Sequence, residues 1–470
     1  MSKFLPVYLP IEVLPRELDS RLLIASVMSN YGCRVFIGQS TVLELMARRF
    51  PGVYLHKMHG FGDRNLVGRL ADSGNLVAAI DEEALHLSNI DNWIRHQTSH
   101  LTLSRLSRVF ANSKAQFEAL TNAYPDHISK IVLTGNPRTD VLSDDFKSLR
   151  SLGLNRRRVP QRFVLVITNF AAANFSRGYG VSMLSHQIAT SVSDGNSAED
   201  HLQNMGRVQT YIQNDTNALI AYQSAVVHLA ERLPHVTFVL RPHPSEELRT
   251  WKKWVADYSN ITVDRSWTAS SWAEKADCIV HPGSTASIEA ALLGKPVLYY
   301  NPSAHSGMEA NTGHTFPDYF GLHMSDLDSL TTSIELFWEG SAPPGSTWKG
   351  PSSSSEPNSY LKIAEELGKL AKDGPDSPGL LRASVTLFFL SFLVELKAFA
   401  RTAVGMISLV IFGKSRDRGI NYLKFPWIFR KRLHVRLKEF ARLSRTGFAR
   451  SWWLIQWGPR SFILSSRGQR

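Results

Sequence analysis

Short apolar runs alternate along this chain with longer amphipathic stretches, and that alternation restarts partway through. "FLPVYLPI" predicts a strand, "DSRLLIASVMSNYG" a helix ending on Gly32, and "RVFIG" a second strand, together opening a βαβ unit. Further strands are predicted at "GVYLH", "NLVAAID" and "RVFANS"; "KAQFEALTNAY" predicts a helix and "ISKIVLTGNP" a strand running into a turn. Strands that follow one another through helices read as a parallel sheet covered by those helices, so the fold class is α/β.

A polar, Pro-terminated connector, "DDFKSLRSLGLNRRRVP", precedes the restart. "RFVLVITNF" is then a strand, residues 191–204 a polar insertion loop, and "AYQSAVVHLAERLP" a helix. Four more strands follow at "VTFVLRPHP", "ITVD", "DCIVHPG" and "PVLYYNP". The expected division is a first Rossmann-like domain over 1–155, a second over 156–340, a linker with a return helix over 341–379, and a terminal extension over 380–470. A chain of 470 residues is long enough for two such cores. Cys33 and Cys278 fall in different halves, which disfavours a structural disulfide and suits a reducing compartment. The first residues show no secretory signal pattern.

Charge separates the extension from the rest. Leu380 to Arg470 hold 18 Lys/Arg against 3 Asp/Glu, leaving 35 basic and 38 acidic residues in the other 379, a net of −3. Within it "ASVTLFFLSFLV" and "TAVGMISLVIF" are apolar runs of 12 and 11 residues. Both are shorter than the roughly 20 residues of a spanning helix and read as in-plane or re-entrant segments. Beyond them, "KFPWIFRKRLHVRLKEFARLSRTGFARSWWLIQWGPR" mixes basic with aromatic residues, which suits a helix at an anionic membrane surface. Nucleic acid is the second choice and is disfavoured by the adjoining apolar runs; a helical extension packed on the body or on a second subunit is the third.

The motif richest in chemistry is "ADCIVHPGSTASIEAALLGKPVLYY". In open parallel sheets ligands bind beyond the carboxyl ends of the strands, and His281 follows its strand directly. Gly283, Ser284 and Thr285 then open a helix, where hydroxyls and free amides suit a phosphate, and Glu289 can accept from sugar hydroxyls. Arg241 and His243 follow another strand in "FVLRPHPSEE", so two strand ends carry an imidazole and one an Arg. "TGNPRTDVL" is either an Asn-Pro turn or an interdomain element. "GFGDRN" lacks dinucleotide-fingerprint spacing, no phosphate-loop Lys or nucleophile elbow occurs, and His56 and His59 in "HKMHG" read as loop histidines, so no metal site is expected.

"HPGSTASIEAALLGKPVLYYNP" resembles the nucleotide-binding segment of GT-B-fold glycosyltransferases. With "VYLPIEVLPRELDSRLLIA", "AAIDEEAL", "IVLTGNPRTDVL", "LVITNF" and "LRPHPSE", it resembles bacterial surface carbohydrate biosynthesis proteins, relatives of CDP-glycerol glycerophosphotransferases and of CMP-sugar transferases, over roughly residues 4 to 370. The resemblance implies two Rossmann-like doubly wound domains facing a cleft, plus the basic and apolar helical extension. By it, His243 and His281 contact the donor phosphate and one assists leaving-group departure. Ser284 and Thr285 bind phosphate and Glu289 the ribose, with Arg241 and the helix end replacing a metal. No tightly bound cofactor is implied, only a CMP-, CDP- or UDP-linked donor as substrate.

A transferase also needs a base or nucleophile from the first half. Glu12 and Asp19 follow the first strand, and Asp81, Glu82 and Glu83 follow "NLVAAI"; Glu82 or Glu83 is favoured, then Glu12. The function expected is transfer of a sugar, with a CMP-sugar as the suspected donor, to a lipid-linked saccharide in surface polysaccharide biosynthesis. It would be peripheral at the cytoplasmic face of the bacterial inner membrane, with residues 380–470 on the anionic surface and no nucleic-acid partner. Alternatives are a CDP-glycerol-type glycerophosphotransferase, an isomerase of the UDP-sugar 2-epimerase type, and a non-catalytic membrane assembly protein.

Overall fold

The computed structural model describes residues 6–31, 33–82, 84, 85, 87, 90–152, 159–175, 198–301, 321–343, 358–372, 384–394, 396, 430–443, 452–456 and 461–466. The chain divides into two compact units, residues 1–152 with 353–470, and residues 153–352.

In the first unit, β1 (Pro6–Ile11), β2 (Arg34–Gln39), β3 (Val53–His56), β4 (Leu76–Ile80), β5 (Arg108–Ala111) and β6 (Ile131–Leu133) lie parallel in the order β2-β1-β3-β4-β5-β6. Helices α1 (Leu14–Met28), α2 (Ser40–Arg49), α3 (Arg64–Asp72), α4 (Ile90–Gln97), α5 (His100–Arg105), α6 (Lys114–Ala123), α7 (Pro137–Asp140) and α8 (Lys147–Ser151) connect or follow them. β1 and β2 are buried along their whole length, as strands covered on both faces must be. The strand order reverses between β1 and β3, which makes that gap the topological switch point of this sheet.

The second unit contains β7 (Val164–Ile167), α9 (Ala198–Arg232), β8 (Phe238–Arg241), α10 (Leu248–Trp254), β9 (Ile261–Val263), α11 (Ala269–Ala273), β10 (Cys278–His281), α12 (Ala286–Leu292), β11 (Val297–Tyr299), β12 (Leu322–His323) and α13 (Leu327–Trp338). Its order, β12-β11-β10-β7-β8-β9, is all parallel and is the Rossmann arrangement, reversing between β7 and β10. Apolar clusters built around Phe238, Trp251 and Leu298 on one face and Phe163, Trp272 and Ile279 on the other fill its core. Two doubly wound Rossmann-like units in one chain form the GT-B-like α/β class expected from the sequence. The expected loop over 191–204 differs in part: residues 198–204 belong to α9, because Ala, Glu, Gln and Met favour helix even where the stretch is polar. Residues 191–197 lie outside those described. Cys33 and Cys278 are both free and buried.

The chain then adds α14 (Ser359–Lys372), helical residues 384–394, α15 (Arg430–Leu443), β13 (Trp452–Gln456) and β14 (Ser461–Ser466) to the first unit. α14 is fastened to α7 by Tyr360 N–H donating to Asp140 at 2.9 Å, and to β5 by an Arg108–Glu366 ion pair at 2.9 Å. Burial raises Asp19 on α1 above the usual carboxylate range while Arg436 of α15 pairs with it at 3.0 Å. Residues 452–456, where a surface helix was expected, and 461–466 form an antiparallel pair whose β14 joins β2 with Ile463 opposite Phe36. Aromatic and branched residues favour strands, and the edge of β2 offers backbone groups to pair.

Candidate functional site

The rim beyond the carboxyl ends of β7, β8, β10, β11 and β12 gathers the residues singled out in the second unit. His281 is the last residue of β10 and is fully buried. Its Nδ1 accepts the amides of Gly283 at 3.0 Å and Ser284 at 3.1 Å, so the neutral ring carries its proton on Nε2. Burial, aided by His323, pushes its pKa down to about 3, so the ring is neutral at ordinary pH. His281 is thus a hydrogen-bond donor through Nε2 and the brace of its own loop. The bend requires φ +116° at Gly283, a region open to glycine at little cost.

Ser284 is buried and its Oγ accepts the Ala286 amide at 3.3 Å, while Thr285 is exposed. Register extends the rim sideways. His281 stands opposite Tyr299 and Tyr299 opposite His323, with ring centroids 5.4 and 4.6 Å apart. Tyr299 and His323 escaped the sequence reading because only strand register aligns them.

β8 ends in Arg241, whose Nη1 donates to the Ser266 carbonyl at 3.1 Å and Nη2 to that of Trp267 at 2.5 Å. Trp267 lies at φ +57°, a strained conformation for a bulky residue that these bonds help hold. Burial lowers the Arg241 pKa to about 10, with Asp264 and Glu289 opposing it electrostatically. Arg241 therefore orders a loop and supplies buried positive potential near the half-buried Glu289. His243 repeats the His281 device: its Nδ1 accepts the Ser245 amide at 3.2 Å.

The residue that ties these loops together is Glu246, fully buried. It accepts from Thr168 Oγ1 at 2.6 Å, the His243 amide at 3.0 Å, Trp251 Nε1 at 2.8 Å and Asn174 Nδ2 at 3.3 Å. Only its place in "HPSEE" hinted at it. It links the ends of β7 and β8 through a buried carboxylate.

The first unit's rim is ionic. Glu82, a favoured base, is fully buried in a 2.7 Å ion pair with Arg21, whose Nε also donates to the Pro10 carbonyl at 3.1 Å. The Glu82 carbonyl accepts from Arg138 Nη1 at 2.6 Å and its amide donates to Lys57 O at 3.1 Å. A carboxylate so held positions its neighbours and is poorly placed to take a proton from a substrate. Glu83 lies outside the described residues. Asp81 accepts the Ala84 amide at 3.2 Å and Trp93 Nε1 at 2.9 Å, and so anchors the loop after β4.

Glu12, at the end of β1, is part-exposed and paired with Lys57 at the end of β3. Beside them His56 Nε2 lies 2.9 Å from Asp63, and buried His59 meets Trp93 edge-on at 5.6 Å. Although burial raises it, Asp63 is held below the usual carboxylate range by His56, Lys57 and His59. A cavity of about 530 Å³ lined by Asp91, Arg95, Thr98, His100 and Tyr124 holds none of the expected site residues.

No protein-family model matches the chain, and no curated protein matches it. Among solved structures it is similar to UDP-GlcNAc 2-epimerase from Methanocaldococcus jannaschii in complex with UDP-GlcNAc and UDP, at 12% identity and TM-score 0.42, over 78% of this chain and 99% of that one. Similarity to the wall teichoic acid polymerase TagF is 12% identity, TM-score 0.40, over 78% and 89%. To Anabaena HepE in complex with UDP it is 14%, TM-score 0.33, over 79% and 98%.

Proposed function

We propose that the second unit binds a nucleotide-activated donor at its rim and that the protein transfers the activated group to a hydroxyl of a lipid-linked saccharide. One observation carries this: at the Rossmann switch point, His281 is held neutral with its proton on Nε2, beside Ser284 and Thr285. A neutral N–H and two hydroxyls, on the same sheet rim as the buried Arg241, suit a diphosphate or monophosphate whose charge grows as it leaves. The bond from the donor carbon to its phosphate oxygen breaks, that carbon bonds to the acceptor oxygen, and the departing phosphate keeps the electron pair. The acceptor proton passes to a carboxylate, for which we assign Glu12, part-exposed where Glu82 is fully buried. Glu289 serves the ribose hydroxyls; His243, Arg241 and Gly283 shape the rim.

The suspected donor is a CMP-sugar, on the sequence resemblance, with CDP-glycerol and UDP-sugars as the other donors to test. Residues 380–470 hold the enzyme on anionic lipid at the cytoplasmic face of a bacterial inner membrane, a reading supported by their charge. No described helix is long and apolar enough to cross a membrane.

The test is transfer of label from CMP-, CDP- and UDP-linked donors into a lipid-linked saccharide fraction. One donor class should label the lipid, and Glu12→Gln should slow turnover roughly 10²–10⁴-fold while donor binding persists. Epimerised nucleotide sugar formed without acceptor would replace this reading by the isomerase. Absence of both turnover and nucleotide binding would leave the assembly protein.

A further inference from the structure

Residues 384–394 form a helix with no charged side chain and two apolar faces. Leu387 is fully buried and belongs to the same cluster as Phe36, Met46 and Ile463; Leu390 and Val394 pack against that cluster, and Ser384 and Ser391 are buried. This face seats the helix on the first unit. The other face presents Val385, Phe388, Phe389, Phe392 and Leu393, and Leu396 follows just beyond the helix, each 42 to 57% exposed. Their spacing of three and four residues makes one continuous stripe. Six of the fourteen large apolar side chains exposed among the described residues stand in this one segment. Scattered exposed apolar residues are ordinary, but a contiguous stripe marks an interaction surface.

We infer that this stripe is the face by which the protein enters a lipid surface, with the helix lying in the plane of an anionic bilayer. This rests on the membrane reading above and deepens it by naming the inserting residues. Eleven residues give a helix roughly 17 Å long, about half the hydrocarbon thickness, so the helix lies flat and does not span. Arg382 stands before it in the sequence and Lys397 and Arg401 after it, within a terminal segment holding 18 basic against 3 acidic residues. Basic flanks seat on anionic headgroups while the rings enter the acyl boundary. A second copy is a poorer occupant, because a two-fold contact would bring two segments of net charge +15 together.

The test uses the full chain and vesicles of phosphatidylethanolamine and phosphatidylglycerol. Sedimentation of the wild type is compared with Phe389→Ser/Phe392→Ser/Leu393→Ser, whose sites are exposed and lie outside the buried face. Separately, Phe389→Cys carries an environment-sensitive fluorophore; Cys33 and Cys278 are buried, so the label reports this face. We expect affinity for vesicles to fall roughly a hundredfold in the triple variant, and the label to shift to an apolar signal quenched by spin-labelled lipid tails. If the triple variant pellets as well as wild type and the label stays in water, this face is overturned while membrane attachment survives through another part of the segment. If the wild type does not pellet, both readings fail. A label already shielded without lipid also overturns the inference. Sedimentation velocity then tells a second copy from the chain's own 402–412 run as the cover.

Discussion

The two switch points answer the same topological demand with different chemistry. In the second unit the imidazoles of His281 and His243 are spent on their own loops, each Nδ1 accepting a backbone amide two residues on. In the first, the corresponding rim is held by two ion pairs, Arg21 with Glu82 and Lys57 with Glu12, and by the His56–Asp63 hydrogen bond. Neutral hydrogen bonds brace these two loops without consuming charge. Ion pairs fix geometry but neutralise one another, and in the first rim the Glu12–Lys57 pair is part-exposed on both sides while the Arg21–Glu82 pair is fully buried.

Breaking this contrast should cost most where the pair is deepest. Arg21→Met strands a buried Glu82 charge and should destabilise the first unit by about 3–5 kcal/mol, with Arg21→Met/Glu82→Leu recovering much of the loss in chemical denaturation. Glu246→Gln, which weakens a buried hub of the second rim, should cost about 1–3 kcal/mol and lower nucleotide affinity by calorimetry. The neutral His281 gives a pH signature. The unfolded chain takes up its proton near 6.5 and the folded one near 3, so the stability this group contributes is present above about 6.5 and lost as pH falls toward 3. Relative to His281→Asn, wild-type stability should therefore fall by about 1.4 kcal/mol per pH unit between roughly pH 6 and 4. A difference without slope would mean the ring is not held neutral. The smallest effect is expected for Lys57→Met, under about 1 kcal/mol, because the pair is part-exposed and solvent screens it.

Much of this was readable from the chain. Strand-helix alternation gave both sheets, and the position of His281 at a strand end followed from "DCIVHPG" because period and turn chemistry are local signals. What could not be read were contacts made over distance. Arg21 and Glu82 stand far apart in sequence, so nothing local reveals that the carboxylate favoured as a base is locked in a buried pair. Tyr299 and His323 meet His281 only through register. Trp452 to Gln456 were misread because their basic, aromatic surroundings suit a membrane helix, whereas pairing with β14, itself on the edge of β2, selects a strand. The use of His281 Nδ1 within its own loop was equally hidden: residue type announces an imidazole but not which atom faces the ligand.

The most direct test of the account is calorimetric titration of the full chain with CMP, CDP, UDP and dTDP, repeated with His281→Asn. The account predicts that one nucleotide binds and that His281→Asn weakens it at least about tenfold, the scale of one lost hydrogen bond to a charged group. CMP would indicate a CMP-sugar donor and CDP a glycerol phosphate donor, while UDP or dTDP would indicate a hexosyl donor or the isomerase. Binding unchanged in His281→Asn, or no binding of any of the four at millimolar concentration, would contradict the assignment of the second rim as the nucleotide site.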